Sequence, residues 1–148
     1  LISLEFARER LEKFLEADNQ EELKKIKRDY ILAEIRYWLL SKQSKDICGQ
    51  DDIVTILYFY ASRDCDDCEN QGAILTSLKN EFKNHLLVFS IDSTFREEPM
   101  IDILKESFGI ANEPSLVIND EPIKQFTNKK ELKEIICSKY KKSVDACK

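Results

Sequence analysis

Cys65-Asp66-Asp67-Cys68 is the segment of this chain whose residue types and spacing can do chemistry. It follows an apolar run, Ile53 to Tyr60, and precedes a stretch with helical periodicity. Two cysteines at i and i+3, where a strand turns into a helix, can close a small disulfide ring. The first thiol falls at a helix N-terminus, where unpaired N–H groups and the helix dipole favour the thiolate. The pattern therefore points to a redox site. Three competing readings are a structural disulfide, half of a zinc site and an inert relic on a binding scaffold. No second Cys/His pair stands at finger spacing, so no metal is expected. His85, the sole histidine, opens a strand and reads as a surface residue.

The rest of the chain must supply elements that hold this pair. Its 148 residues are the size of one ordinary domain, and 43% hydrophobic with 34% charged residues is a globular balance. A net charge of −5 and the lack of a basic patch interleaved with aromatics argue against nucleic-acid binding. No apolar run approaches the ~20 residues a bilayer needs. The sequence begins at Leu1, which leaves room upstream for a signal peptide or a membrane tether.

Residues 1–45 read as a two-helix N-terminal extension, and residues 46–148 as the main domain. Leu4, Ala7, Leu11, Phe14 and Leu15 form one stripe; Leu23, Ile26, Tyr30, Ala33, Tyr37 and Leu40 form a second. Asn19 with Glu22 makes a capping box between them. The stripes are expected to pack on the domain or on each other, with Tyr30, Tyr37 and Trp38 as core or docking residues. The alternative is a helical arm for self-association, or a stalk below a membrane anchor. Gly49 lies in a polar connector, after which Ile53–Tyr60 reads as a strand buried on both faces. A helix from Cys68 to Phe82 carries Ile74, Leu75, Leu78 and Phe82 on one side. Leu86–Ile91 is a second buried strand. Pro99 opens a helix with Met100, Ile103, Leu104 and Phe108 inward and Gly109 at its stop. Ser115–Ile118 is a third strand, Asn119, Asp120 and Glu121 a turn, and Ile123–Phe126 its hairpin partner. Asn128 with Glu131 starts a last helix with Leu132, Ile135, Ile136 and Tyr140 inward. The order after residue 50 is β-α-β-α-β-β-α, an α/β arrangement with the first two strands parallel and the hairpin antiparallel.

This order resembles the thioredoxin fold over roughly residues 50–142. The resemblance rests on Ile53–Tyr60 leading through Ala61 to Cys65-x-x-Cys68, on the element order, and on Gly109-Ile-Ala-Asn-Glu-Pro114-Ser-Leu-Val-Ile118. It implies a three-layer thioredoxin-like fold in which Pro114 is cis and faces the CxxC. Glu113 and Pro114 would then shape the edge that binds an extended substrate. The chain departs from thioredoxins proper in having Asp64 where Trp is usual and Asp66-Asp67 in place of Gly-Pro. Phe59 stands six before the first cysteine, where a buried Asp is common.

The resemblance also implies the reaction. Cys65, as thiolate, attacks a substrate disulfide, and Cys68 resolves the mixed disulfide. No cofactor is needed. The partners are protein thiols and disulfides, together with a redox partner protein. Asp64, Asp66 and Asp67, with Glu69 and Glu113, are expected to oppose the helix and tune the Cys65 pKa. One charge at ~5 Å contributes about 3 kcal/mol at an effective dielectric of 20, and under ~1 kcal/mol in water. The pair should then act as reductant or isomerase rather than as a strong oxidant, and the acidic rim should favour basic substrates. Carried onto this topology, Cys48 falls at the far end of the sheet and is expected near Cys137 or Cys147, with a structural disulfide to one of them. A Cys137–Cys147 bridge in a folded-back tail is the alternative. Five cysteines in a chain of this size lean towards an extracytoplasmic location, periplasmic, secreted or membrane-tethered. The competing functional readings are a non-catalytic thioredoxin-like binding or assembly module, and a cytoplasmic redox protein served by a reductase.

Overall fold

The computed structural model describes residues 7–9, 11 and 20–148. Leu4, Phe14, Leu15 and Asn19, which the sequence places in the first helix and its cap, lie outside the described residues; residues 7–9 and 11 are helical. The elements then run α1 (Gln20–Cys48), β1 (Val54–Tyr60), α2 (Asp66–Phe82), β2 (Leu86–Asp92), α3 (Met100–Phe108), β3 (Ser115–Ile118), β4 (Glu121–Ile123) and α4 (Lys129–Lys139). One-turn 3-10 helices cover Lys83–His85 and Asp145–Cys147.

The sheet has the order β2-β1-β3-β4. β1 pairs parallel with β2, from Val54 opposite Leu86 to Tyr60 opposite Asp92. It pairs antiparallel with β3, from Ile56 opposite Ile118 to Phe59 opposite Ser115. β1 is a continuous apolar run because both of its faces are covered. Leu57 and Phe59 join Ile31, Ile35 and Trp38 of α1 and Ile101 and Leu104 of α3 in one core. Val54, Ile56 and Tyr58 join Leu75, Leu78 and Phe82 of α2 and Leu132 and Ile136 of α4 in the other. Helices on both faces of a mixed sheet make the three-layer α/β fold expected from the element order.

Several local details differ from the sequence reading. On α3 the buried residues are Ile101 and Leu104, while Ile103, expected inward, is exposed. The hairpin strand is Glu121–Ile123, not Ile123–Phe126. Asn119 takes a left-handed backbone, φ 56°. This closes the turn in two residues and sets Glu121 opposite Ile118. Pro122 is tolerated because β4 is an edge strand. On α1 the buried face is Ile26, Ile31, Glu34, Ile35 and Trp38, while Leu40 is exposed. The inward stripe is thus rotated by about one residue from Tyr30–Ala33–Tyr37–Leu40. Trp38 packs edge-on to Phe108 with ring centroids 6.0 Å apart. The helix also runs three residues past the expected boundary at 45, to a stop at Gly49 in the left-handed region.

The expected bridge from Cys48 to Cys137 or Cys147 does not form. Cys48 ends α1 as an exposed free thiol, and Cys137 is bonded to Cys147. The tail folds back because it is held at several points. Tyr140 donates its hydroxyl to the His85 carbonyl at 2.6 Å. The Lys141 N–H donates to the Asp51 carbonyl at 3.1 Å. Val144 is buried against the α2/α4 face. The 3-10 turn at 145–147 then brings Cys147 back onto α4.

Glu34 is the least comfortable residue of α1. It is 3% exposed, and its Oε2 has no hydrogen-bond partner. Burial raises its pKa from 4.5 to about 7, against the lowering effects of the Tyr30 hydroxyl and of Arg8. A folded-state value above the unfolded one adds stability below the unfolded pKa that is lost as pH rises through the folded pKa. Wild type should therefore lose up to ~3 kcal/mol of stability from near pH 5 to pH 8, given a shift from 4.5 to about 7. Glu34→Gln should not, and denaturant melts at both pH values check this; equal pH slopes would absolve Glu34. For the cysteines, the oxidised protein denatured without reductant should titrate one thiol, and Cys48→Ser none. Losing the bridge across 10 residues in Cys137→Ser should cost about 2–3 kcal/mol in the same melts.

Candidate active site

β1 ends at Tyr60, and Ala61 to Asp64 carry the chain to α2. Asp64 has φ 53°, which turns the backbone so that Cys65 becomes the N-cap. Its sulfur receives the Cys68 N–H at 3.2 Å, and its carbonyl receives the same N–H at 3.1 Å. Cys65 and Cys68 are disulfide-bonded. Cys65 is half-buried, whereas Cys68 is 5% exposed. The Ala61 N–H donates to the Cys68 sulfur at 3.4 Å. The first sulfur is therefore open to a visitor, and the second is held behind it.

β3 brings the other wall. The β1–β3 ladder ends at Phe59 opposite Ser115, so Glu113 and Pro114 stand just past it at the sulfur end of β1. The Glu113–Pro114 peptide is cis, and Pro114 is buried. The Glu113 carbonyl oxygen lies 4.0 Å from the Cys65 sulfur. The Ser115 hydroxyl donates to the Asn112 carbonyl at 2.7 Å and ties the loop to its own strand.

The acidic residues fall into two groups. Asp64, Asp66, Asp67 and Glu69 are exposed around the start of α2. Glu113 is not part of that rim: its carboxylate pairs with Lys105 at 2.7 Å, with both side chains under one-fifth exposed.

Several residues at the site gave no signal in sequence. Tyr58 read as strand core, yet its hydroxyl donates to the Cys68 carbonyl at 2.5 Å. Burial pushes that hydroxyl up to about 12, so it stays protonated as a donor at neutral pH. Phe59 faces the α1/α3 core, so Tyr58 is the β1 residue beneath α2. Gln71 is fully buried and holds both the N–H and the carbonyl of Thr127, locking α2 to the segment before α4. Asp92 ends β2 with Oδ2 2.6 Å from Lys27. Its Oδ1 accepts from the Thr94 N–H and hydroxyl at 2.9 and 2.5 Å. Thr94 meets the Ser62 hydroxyl at 2.9 Å, so this carboxylate braces the loop that delivers Cys65. Among the described residues no His/Cys/Asp/Glu group has the arrangement of a metal site, and no helix is long and apolar enough to cross a membrane.

No protein-family model and no curated protein matches the chain. Solved structures do. Thioredoxin O2 from Arabidopsis thaliana, in its oxidised state, superposes with a TM-score of 0.51 at 18% identity, covering 73% of this chain and 90% of that one. Thioredoxin O1 from Arabidopsis thaliana, also oxidised, gives 0.51 at 18% identity over 70% and 90%. At that identity the likeness establishes the fold, and the fold is that of thioredoxin.

Burial alone would raise the Asp92 carboxyl, but the Lys27 ammonium and the two Thr94 donors outweigh it and hold it below its ordinary 3.8. Stability from such a group is present above the unfolded pKa and lost as pH falls through the folded one. Asp92→Asn should cost ~1–2 kcal/mol at neutral pH, and its gap from wild type should close in acid. Denaturant melts across the acid range measure it; a gap that persists at the lowest pH would show that charge is not what Asp92 supplies.

Proposed function

We propose that this protein is a thiol–disulfide oxidoreductase that exchanges disulfides with protein substrates through Cys65 and Cys68. The observation that carries the reading is the asymmetry of the pair. Cys65 is accessible at a helix N-terminus and Cys68 is shielded one turn along, with the Glu113 carbonyl 4.0 Å from the outer sulfur.

The chemistry follows from those positions. In the reduced protein the Cys65 thiolate attacks one sulfur of a substrate disulfide. The S–S bond breaks, its electron pair leaves on the other substrate sulfur, and that sulfur takes a proton. Cys68 then gives up its proton and attacks the Cys65 sulfur of the mixed disulfide, releasing the second substrate thiol. The substrate gains two electrons and two protons, and the CxxC becomes the disulfide. The reverse sequence oxidises a substrate dithiol. An extended substrate segment lies along the Glu113–Pro114 edge, whose backbone stands outside the β1–β3 ladder.

Direction depends on the field at Cys65. The N–H of Cys68 and the α2 terminus favour the thiolate. Asp64, Asp66, Asp67 and Glu69 oppose it from solvent, where screening is strong. Acting together, the four carboxylates still offset part of the helix effect, which favours reductant or isomerase work over strong oxidation, and the acidic rim favours basic partners. A protein redox partner restores the pair. The proposed extracytoplasmic setting accords with a Cys137–Cys147 bridge, because structural disulfides are rare in a reducing cytosol.

Insulin reduction by wild type and Cys65→Ser tests the reading. Wild type should turn over, and the serine variant should fall to the rate of reductant alone. Equal rates would eliminate catalysis in favour of a binding module. Equilibration of the CxxC against glutathione sets the direction, and a potential as high as that of strong oxidants would reverse the assignment.

A further inference from the structure

The Lys105–Glu113 pair joins the end of α3 to the residue before Pro114, and nothing in the exchange reaction itself requires it. Lys105 Nζ lies 2.7 Å from Glu113 Oε1, and the two side chains are 17% and 19% exposed. The Lys105 carbonyl also accepts the Ile110 N–H at 2.8 Å, so its own position is fixed where the chain turns from α3 towards the proline loop. Glu113 is in turn fixed at the site, because its carbonyl oxygen is 4.0 Å from the Cys65 sulfur. An acidic side chain is therefore carried by the residue whose backbone carbonyl faces the reactive sulfur, in a place less washed by solvent than the rim.

We propose that Lys105 is a positioning residue for the redox pair: by holding the Glu113 carboxylate it cancels a partly buried negative charge on the loop whose backbone faces Cys65, and so keeps the thiolate accessible. The inference rests on the exchange reading of the CxxC but concerns a residue of α3 outside it.

The other charges around Cys65 do not substitute for Lys105. On its own segment stand Arg63, Asp64, Asp66, Asp67 and Glu69, all exposed. Across from that segment, Asp92 is already paired with Lys27. Lys124 lies against Gly109 at the end of α3, and Arg96 faces Asp102 at 3.9 Å. Among the described residues, the ion pair at the Glu113 carboxylate is the one with Lys105.

The test measures the rate of alkylation of Cys65 in the reduced protein against pH, with each cysteine resolved by peptide mass spectrometry. Lys105→Met should raise the pH midpoint by about one unit, the scale of one partly screened neighbouring charge, and slow alkylation several-fold at neutral pH. Lys105→Arg should restore the wild-type midpoint. Glu113→Gln, which leaves the lysine without its partner, should move the midpoint the other way. The double variant Lys105→Met/Glu113→Gln should return close to wild type. Midpoint shifts of the same sign in both single variants would mean that the pair acts only by shaping the loop, and would overturn the proposal. Unchanged midpoints in folded variants would overturn it as well. Failure of insulin reduction would remove the exchange reading while leaving the alkylation midpoints interpretable, so the two failures are separable.

Discussion

The sulfur end of β1 is where every part of the site is measured from. β1 is hydrogen-bonded on both sides and covered on both faces, so it cannot slide by one residue without exposing Leu57 and Phe59 or Ile56 and Tyr58 to the wrong core. That register fixes three things together. It sets where Ala61 leaves the sheet and hence where Cys65 caps α2. It sets where β3 begins, at Ser115 opposite Phe59, and hence where Pro114 stands. It sets Asp92 opposite Tyr60, within reach of the loop before Cys65. The site is a consequence of strand pairing before it is a matter of cysteine chemistry.

Around that end, fixed groups and mobile groups act differently on the outer sulfur. The Cys68 N–H is anchored in a helix and lies 3.2 Å from the Cys65 sulfur whatever the ionic strength. The carboxylates of Asp66 and Asp67 are exposed, and salt screens them. Tyr58 adds a further fixed contact, donating to the Cys68 carbonyl and tying the second cysteine's turn to β1. Asp92, Thr94 and Ser62 do the same for the approach loop. Preorganisation of this kind would suit the proposed exchange, because fixed backbone groups supply the field at the outer sulfur.

What was legible in the sequence was whatever depends on neighbours in the chain. The CxxC, the apolar run before it, the Asn128 cap and the proline opening β3 all carry local signatures, and the element order they imply is the order observed. What was not legible depends on residues far apart. Glu34 falls inside an amphipathic stripe, and only the rotation of α1 on the sheet shows it buried. The sequence offered Cys137–Cys147 only as the alternative to a bridge from Cys48, and the choice follows from where Tyr140, Lys141 and Val144 anchor the tail, on His85, Asp51 and the α2/α4 core. The resemblance set Cys48 at the far end of the sheet, yet proximity along an axis is not proximity of sulfurs. Tyr58 was hidden by its own strand, since a tyrosine in an apolar run reads as core until its hydroxyl finds a partner. Lys105 offered no pattern, because eight residues and a helix stop separate it from Glu113.

Burial ranks the acidic residues differently from sequence distance. By distance along the chain, Asp64 and Asp66 flank Cys65 and Glu113 is remote. By environment the order reverses. An exposed carboxylate a residue away acts through a medium close to water, whereas one that is four-fifths covered acts through a medium of lower dielectric, where the same charge at the same separation is worth several times more. A chain with an acidic rim can therefore keep its outer sulfur ionisable, provided that its covered carboxylates are neutralised, as Asp92 is by Lys27 and Glu113 by Lys105. The ion pair at the end of α3 meets that condition, and it makes the proline loop part of the electrostatics of the site as well as part of its shape.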